Sequence, residues 1–221
     1  MKDRFIVKML ATTASVITLV GSGLIGVSSA SAETSSQFQV TSSSCVKQVK
    51  AIAAKTHSDP TEGYKLCTAT VVVTESPIQV ASVSDIKAQE FYADSSPAEQ
   101  QQLLVAASLS DITCRTWTHA LNGGGFWEVH VGKTCWDGYS AWIATHLGIT
   151  GYHTCHAEGS WAVGWAIKPI SCNKPISGSS ADAAYRFDAS VAYQGSPITI
   201  GYGLHFSVTK NGASSAWQVG G

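Results

Sequence analysis

The sequence predicts a mainly β protein: an antiparallel β-sandwich of about seven strands over residues 111–221, preceded by a partly helical N-terminal region over residues 33–110. Three observations carry this. From Ile112 onward the residues alternate with a period of two, broken by regular turn signals. Six cysteines, an even number, all lie at or beyond Cys45, which is the pattern of a disulfide framework in an exported chain. Between Cys114 and Cys172 lie six of the seven tryptophans, in a chain of which only 13% is charged.

The start of the chain predicts export. Lys2, Arg4 and Lys8 precede an uncharged, mostly apolar stretch from Met9 to Val27, and Ala30-Ser31-Ala32 is a small-x-small site. Together they read as a secretory signal peptide over residues 1–32, of a bacterial type. The stretch is long enough for a membrane anchor, but Thr, Ser and Gly dilute it and no basic stop-transfer cluster follows. After cleavage no membrane span is expected. Across all 221 residues, 14 Lys and Arg face 15 Asp and Glu, a formal charge of −1. This balance offers no basic patch for nucleic acid or anionic membranes. The expected location is extracellular.

The elements follow in order. Residues 33–44 are rich in Ser and Thr and read as a loose arm. Val46, Val49, Ile52 and Ala53 recur at helical spacing, giving a short amphipathic helix over about 44–55 with serines to cap it. Asp59-Pro60 and Gly63 break it. CTATVVVTES is rich in β-branched residues and reads as a strand closed by Pro77. In residues 82–93, Ile86, Phe91 and Tyr92 are compatible with a helix. Ser96-Pro97-Ala98-Glu99 is a capping box with proline at the first helical position, opening a helix from Pro97 to about Ser108.

Next, CRTWTHAL and FWEVHVGKTC flank Asn122-Gly123-Gly124-Gly125 as a hairpin. Pairing Leu121 with Phe126 sets Cys114 opposite Lys133, about two residues from Cys135, so a Cys114–Cys135 bridge needs only a bulge or a small register shift. Cys45–Cys67 and Cys155–Cys172 are the remaining local pairings, without a register argument. Further strands are expected at GYSAWIATHL, GSWAVGWAI, AYRFDASVAY, PITIGYGLHFSVTK and SSAWQV, the last after an Asn211-Gly212 turn. In the long strand Tyr202, Leu204, Phe206 and Val208 share one face.

The run WEVHVGKTCWDG, from Trp127 to Gly138, resembles a motif of small, mostly uncharacterised secreted proteins of actinobacteria. There an aromatic-His strand leads into a Cys-aromatic-Asp/Asn-Gly turn, followed by Trp-containing strands and later cysteines. The similarity covers about residues 112–175. It implies secretion and a β fold, and it implies no activity.

No motif names a reaction. His153, His156 and Glu158 lie within six residues, but HTCHAE is not H-E-x-x-H, and Cys155 is expected in a disulfide, so no metal and no cofactor is expected. Glu128, Asp137, Glu158 and Asp188 are the acids from which a hydrolytic pair could come, yet G-x-S-x-G is absent and no catalytic residue is assigned. Most tryptophans are expected to fill the core. Trp161 and Trp165, four apart, should share a strand face and pack together. Trp136, beside Asp137-Gly138, is expected in an exposed turn, where an aromatic ring suits a sugar or a protein contact.

These residues predict a secreted, non-enzymatic binding protein of the cell surface or environment, with a glycan or protein ligand. Its candidate contacts are Trp127, Trp136, Trp142, His153, His156 and Glu158. The rival expectations are an extracellular hydrolase built on the His153–Glu158 segment or a carboxylate pair, and a toxin or inhibitor with residues 33–110 as a removable pro-segment.

Overall fold

The computed structural model describes residues 33–109, 112–173 and 177–220. The expected signal peptide, residues 1–32, lies outside the described residues. From Thr34 the chain is mainly antiparallel β-sheet with five helices among the described residues.

The N-terminal third mixes strand and helix. β1 (Thr34–Thr41) and β2 (Thr68–Glu75) pair antiparallel, Phe38 opposite Val71. The 33–44 segment is therefore not a loose arm. Phe38 and Val40 alternate with Gln37 and Gln39, and the half-buried apolar pair packs on the main core while the polar set faces out. Between these strands lie α1 (Ser43–Thr56) and α2 (Thr61–Lys65). The Ser42 hydroxyl caps α1 by accepting from Cys45 N at 3.0 Å, and the Cys45–Cys67 disulfide ties α1 to the start of β2. The two-residue strand β3 (Gln79–Val80) precedes α3 (Val83–Lys87), α4 (Glu90–Asp94) and α5 (Pro97–Leu109). The expected capping box opens α5: Ser96 N and Oγ both donate to Glu99 Oε2, at 2.9 and 2.6 Å.

β4 (Thr113–Asn122) and β5 (Phe126–Trp136) form the expected hairpin, shifted by two residues from the expected pairing. Asn122, not Leu121, closes the ladder opposite Trp127, because its side chain accepts from Gly124 N and Gly123 N donates to Phe126 O. That shift places Cys114 directly opposite Cys135, where the two are bonded.

GYSAWIATHL is not one strand. It divides into β6 (Ala141–Trp142) and β7 (Thr145–His146), and β7 pairs only with β8 (Ile149–Thr150) through a turn at Leu147 and Gly148, both at positive φ. β9 (Tyr152–Thr154) then returns to β5. GSWAVGWAI is divided too, into β10 (Trp161–Ala162) and β11 (Trp165–Cys172). Gly164, at φ +74°, turns the chain between them. β10 pairs with β5, whereas β11 joins a different sheet. Trp161 and Trp165 thus do not share a strand face: Trp161 lies opposite Trp127 and is exposed, while Trp165 packs edge-on to Phe126 at 5.0 Å.

The last three strands are β12 (Ser180–Tyr193), β13 (Ser196–Thr209) and β14 (Ser214–Gly220). The first sheet runs β1-β2-β4-β5-β10, with β3 added to β4 and β6 and β9 to β5; the second runs β11-β12-β13-β14. The inner faces meet in one core. Val71, Val73, Trp117, Leu121 and Phe126 come from the first sheet; Tyr185, Phe187, Tyr202, Leu204 and Phe206 come from the second. Trp117 stacks on Phe206 at 4.3 Å between ring centres. The architecture is thus an antiparallel β-sandwich with helices at its N-terminal side. Residues 33–110 contribute β1 and β2 to the first sheet. A second core, with Ile86, Ile112, Trp142 and Ile149 around the Cys114–Cys135 bridge, lies outside that sheet beneath α3 and α5.

Candidate functional site

Two features of the first sheet bear on function: its outer face and a polar cluster on its inner face. The outer face follows from register, since directly paired residues point to the same side. Ser35 pairs with Thr74, Thr74 with Thr118, Thr118 with Val131 and Val131 with Thr154. The next row sets Thr116 opposite Lys133 and Lys133 opposite Tyr152. Over this face opens a groove of about 480 Å³, lined in part by Thr74, Ser76, Thr116, Thr118, Val131 and Tyr152. Among the described residues, Glu33 is the one acidic or basic side chain that lines it. Tyr152 is 47% exposed. Further along the same face, beyond the Ala157 loop, Trp161 lies opposite the half-buried Trp127.

The inner cluster begins with Glu128 and His130, alternate residues of β5 that are both fully buried. The Glu128 carboxylate accepts from the Tyr185 hydroxyl of the facing sheet at 2.9 Å and from His156 Nδ1 at 3.0 Å. It is therefore a buried charge held by two donors, one on each side. The Tyr185 hydroxyl is pushed well above its ordinary range, by burial first and by the Glu128 charge second. His156 stands at φ +50° and is half exposed. Its Nδ1 is committed to Glu128, which leaves Nε2 for other partners.

His130 Nε2 lies 2.9 Å from His153 Nδ1, and His153 Nε2 lies 2.8 Å from the Asn173 carbonyl oxygen. A carbonyl only accepts, so His153 Nε2 donates to it, and the tautomer with its proton there has Nδ1 accepting from His130 Nε2. Burial, then the neighbouring His153, holds His130 down to about 3. His119 is likewise buried, with neither ring nitrogen hydrogen-bonded, and burial followed by the nearby His205 lowers it to about 4. Both are neutral rings inside the sandwich.

The six candidate contact residues separate. His153 and His156 do meet buried partners, His130 and Glu128. Glu158 is exposed in the turn after Ala157. Trp136 is not in an exposed turn: β5 runs through it, it is 7% exposed, the Arg115 guanidinium lies 5.8 Å over its ring, and the Gly212 turn closes on the indole. The Asp137-Gly138 turn begins one residue later and exposes Tyr139 instead. Trp142 is fully buried and donates from Nε1 to Ile149 O at 3.0 Å. Neither tryptophan has a face free for a ligand.

Sequence reasoning missed His130, Tyr185 and Tyr152, and it treated Glu128 only as one of several acids. The available signal was alternation: Phe126, Glu128, His130, Thr134 and Trp136 share one face of β5. Trp127, Val129 and Val131 make the other face look like the apolar one, so the polar set reads as solvent-facing. No protein-family model, curated protein or solved structure matches the chain.

Proposed function

We propose that this is a secreted binding protein whose ligand is a neutral glycan, taken up along the outer face of the first sheet. The observation that carries the reading is the groove in which threonine and serine hydroxyls line up beside an exposed Tyr152 ring. Hydroxyl side chains both donate and accept, which suits the alternating donors and acceptors of a sugar. An aromatic ring offers an apolar face to the sugar's C–H side. Paired strands are about 4.8 Å apart, on the scale of one sugar ring, so successive residues of a glycan running across the strands would meet successive hydroxyls. The hydroxyls outnumber the charges, Glu33 in the lining and Lys133 in the neighbouring row, and this balance favours a neutral polymer over an acidic one. His156, Glu128 and Glu158 do not line this groove, which favours binding over hydrolysis. Export is supported by the leader pattern and by three disulfides; no helix among the described residues is long and apolar enough to cross a membrane. Residues 33–110 stay attached in this reading, because β2 lies between β1 and β4.

Isothermal titration and affinity electrophoresis against soluble neutral α- and β-glucans test it. Binding is expected, with Tyr152→Ala weakening it about tenfold or more, the usual effect of removing an aromatic anchor. No binding to any neutral polymer, or binding indifferent to Tyr152→Ala, would remove the proposal.

A further inference from the structure

The Cys155–Cys172 disulfide differs from the other two in its setting. Cys45, Cys67, Cys114 and Cys135 are buried, whereas Cys155 is half-buried and Cys172 is exposed. Access governs thiol–disulfide exchange, so this is the bridge that a dithiol reaches first. Both of its sulfurs lie against one imidazole nitrogen. His153 Nδ1 is 3.8 Å from Cys155 Sγ and 3.9 Å from Cys172 Sγ. The same nitrogen is 2.9 Å from His130 Nε2. The ligand atoms of His130, His153 and Cys155 all fall within 4.8 Å of one another.

We propose that reduction of Cys155–Cys172 by a dithiol converts this cluster into a four-coordinate site for a thiolate-preferring metal ion of the Zn²⁺ class, with Cys155, Cys172, His130 and His153 as ligands. A tetrahedral zinc with bonds of about 2.3 Å to sulfur and about 2.0–2.1 Å to nitrogen sets nitrogen and sulfur about 3.6 Å apart and the two nitrogens about 3.3 Å apart. The separations of His153 Nδ1 from both sulfurs and from His130 Nε2 differ from these by a few tenths of an ångström. Two changes are needed: the sulfurs, now bonded, must part to about 3.8 Å, and Cys172, which lies outside the His130–His153–Cys155 group, must close on His130 as it swings free. Cys155 follows the end of β9 and Cys172 is the last residue of β11, so neither sits in the middle of a strand.

The surroundings are those of a metal-bound histidine. The Asn173 carbonyl holds His153 by Nε2 and leaves Nδ1 unprotonated toward the sulfurs. Asn173 is itself locked to β12: its Nδ2 donates to Asp182 O and its Oδ1 accepts from Ala184 N. His130 is fully buried on β5, so its ring is held in place. In the exchange, the dithiol attacks one sulfur, expels the other as thiolate and closes to its own cyclic disulfide. Cys155 and Cys172 gain two electrons, the metal then displaces their two thiol protons, and the His130 proton moves from Nε2 to Nδ1 so that Nε2 binds. In the oxidised chain neither sulfur is a thiolate, so redox state gates the site.

The test uses the intact chain, with dithiol raised until alkylation and mass mapping show Cys155 and Cys172 opened and the other four cysteines still bonded. Added Co²⁺ is expected to give a thiolate-to-cobalt band in the near ultraviolet and tetrahedral bands in the visible, saturating at one equivalent and abolished by Zn²⁺. The untreated chain gives neither. The Cys155→Ser/Cys172→Ser double variant removes the thiolate band, and His153→Gln lowers Co²⁺ affinity about tenfold or more, with far-ultraviolet circular dichroism reporting the fold of each. A reduced chain without a thiolate–cobalt band overturns the proposal. So does a band that survives the double variant or is unmoved by His153→Gln.

Discussion

Two buried histidines make the stability of the sandwich acid-sensitive. His119 and His130 have folded-state values near 4 and near 3, both below the ordinary 6.5. Above 6.5 neither the folded nor the unfolded chain binds these protons. Below it the unfolded chain takes them up while the folded chain does not, so stability falls as pH drops from 6.5 toward those values. The slope is at most about 1.4 kcal/mol per pH unit for each histidine. Urea titrations at about pH 7 and about pH 5 read the effect: the midpoint is lower at the acid pH, and His119→Leu recovers part of the difference. Because neither nitrogen of His119 has a partner within hydrogen-bond geometry, His119→Leu forfeits no side-chain hydrogen bond at neutral pH. Equal midpoints at the two pH values would contradict neutral buried rings. These histidines were not legible as core residues, since a lone strand exposes both faces to inspection and only the second sheet decides which is inside.

At the scale of elements, local chemistry was readable where it is self-contained. The Ser96–Glu99 capping box, the Asn122–Gly125 turn and the Asn211-Gly212 turn each depend on neighbours within a few residues, and each is present. β1 was not readable, because its Ser and Thr residues suit a loop as well as an edge strand; pairing with β2 decides between them. The break at Gly164 was hidden for a similar reason, since glycine at positive φ looks the same in sequence as glycine in a strand. Gly132 shows how tight the finished hairpin is. A Cβ there would lie 2.4 Å from the Trp117 ring and 2.7 Å from the Tyr152 carbonyl. Gly132→Ala is therefore expected to destabilise by about 1–3 kcal/mol, read by thermal unfolding. A melting temperature equal to wild type would show that the indole moves aside freely.

At the scale of the molecule, the two sheets are joined by aromatic contacts. Phe206 of β13 is fully buried and stacks on Trp117 of β4. Phe206→Ala removes that contact and leaves a cavity between the layers, so a loss of about 3–5 kcal/mol is expected, measured as a lower denaturant midpoint. Around this core runs a polar tie: Arg115 pairs with Glu75, and Ser214 of β14 donates to Glu75 at 2.8 Å. A loss below about 1 kcal/mol for Phe206→Ala would mean that the layers collapse onto the gap.

The sequence by itself determined the β class, the helix caps and the turns. It also brought out the three disulfide pairs, because all three are local and one lies within two residues of the expected hairpin register. These properties rest on periodicity and on interactions between residues near in sequence. Only the tertiary structure decided which side of each strand lies inside. That placement buried Trp136 and Trp142, separated Trp161 from Trp165, drew Glu128 and His130 between the sheets, and left Tyr152 and a row of threonines facing out. The physical reason is that a strand's two faces are equivalent until another layer covers one of them, and the covering strands come from distant parts of the chain.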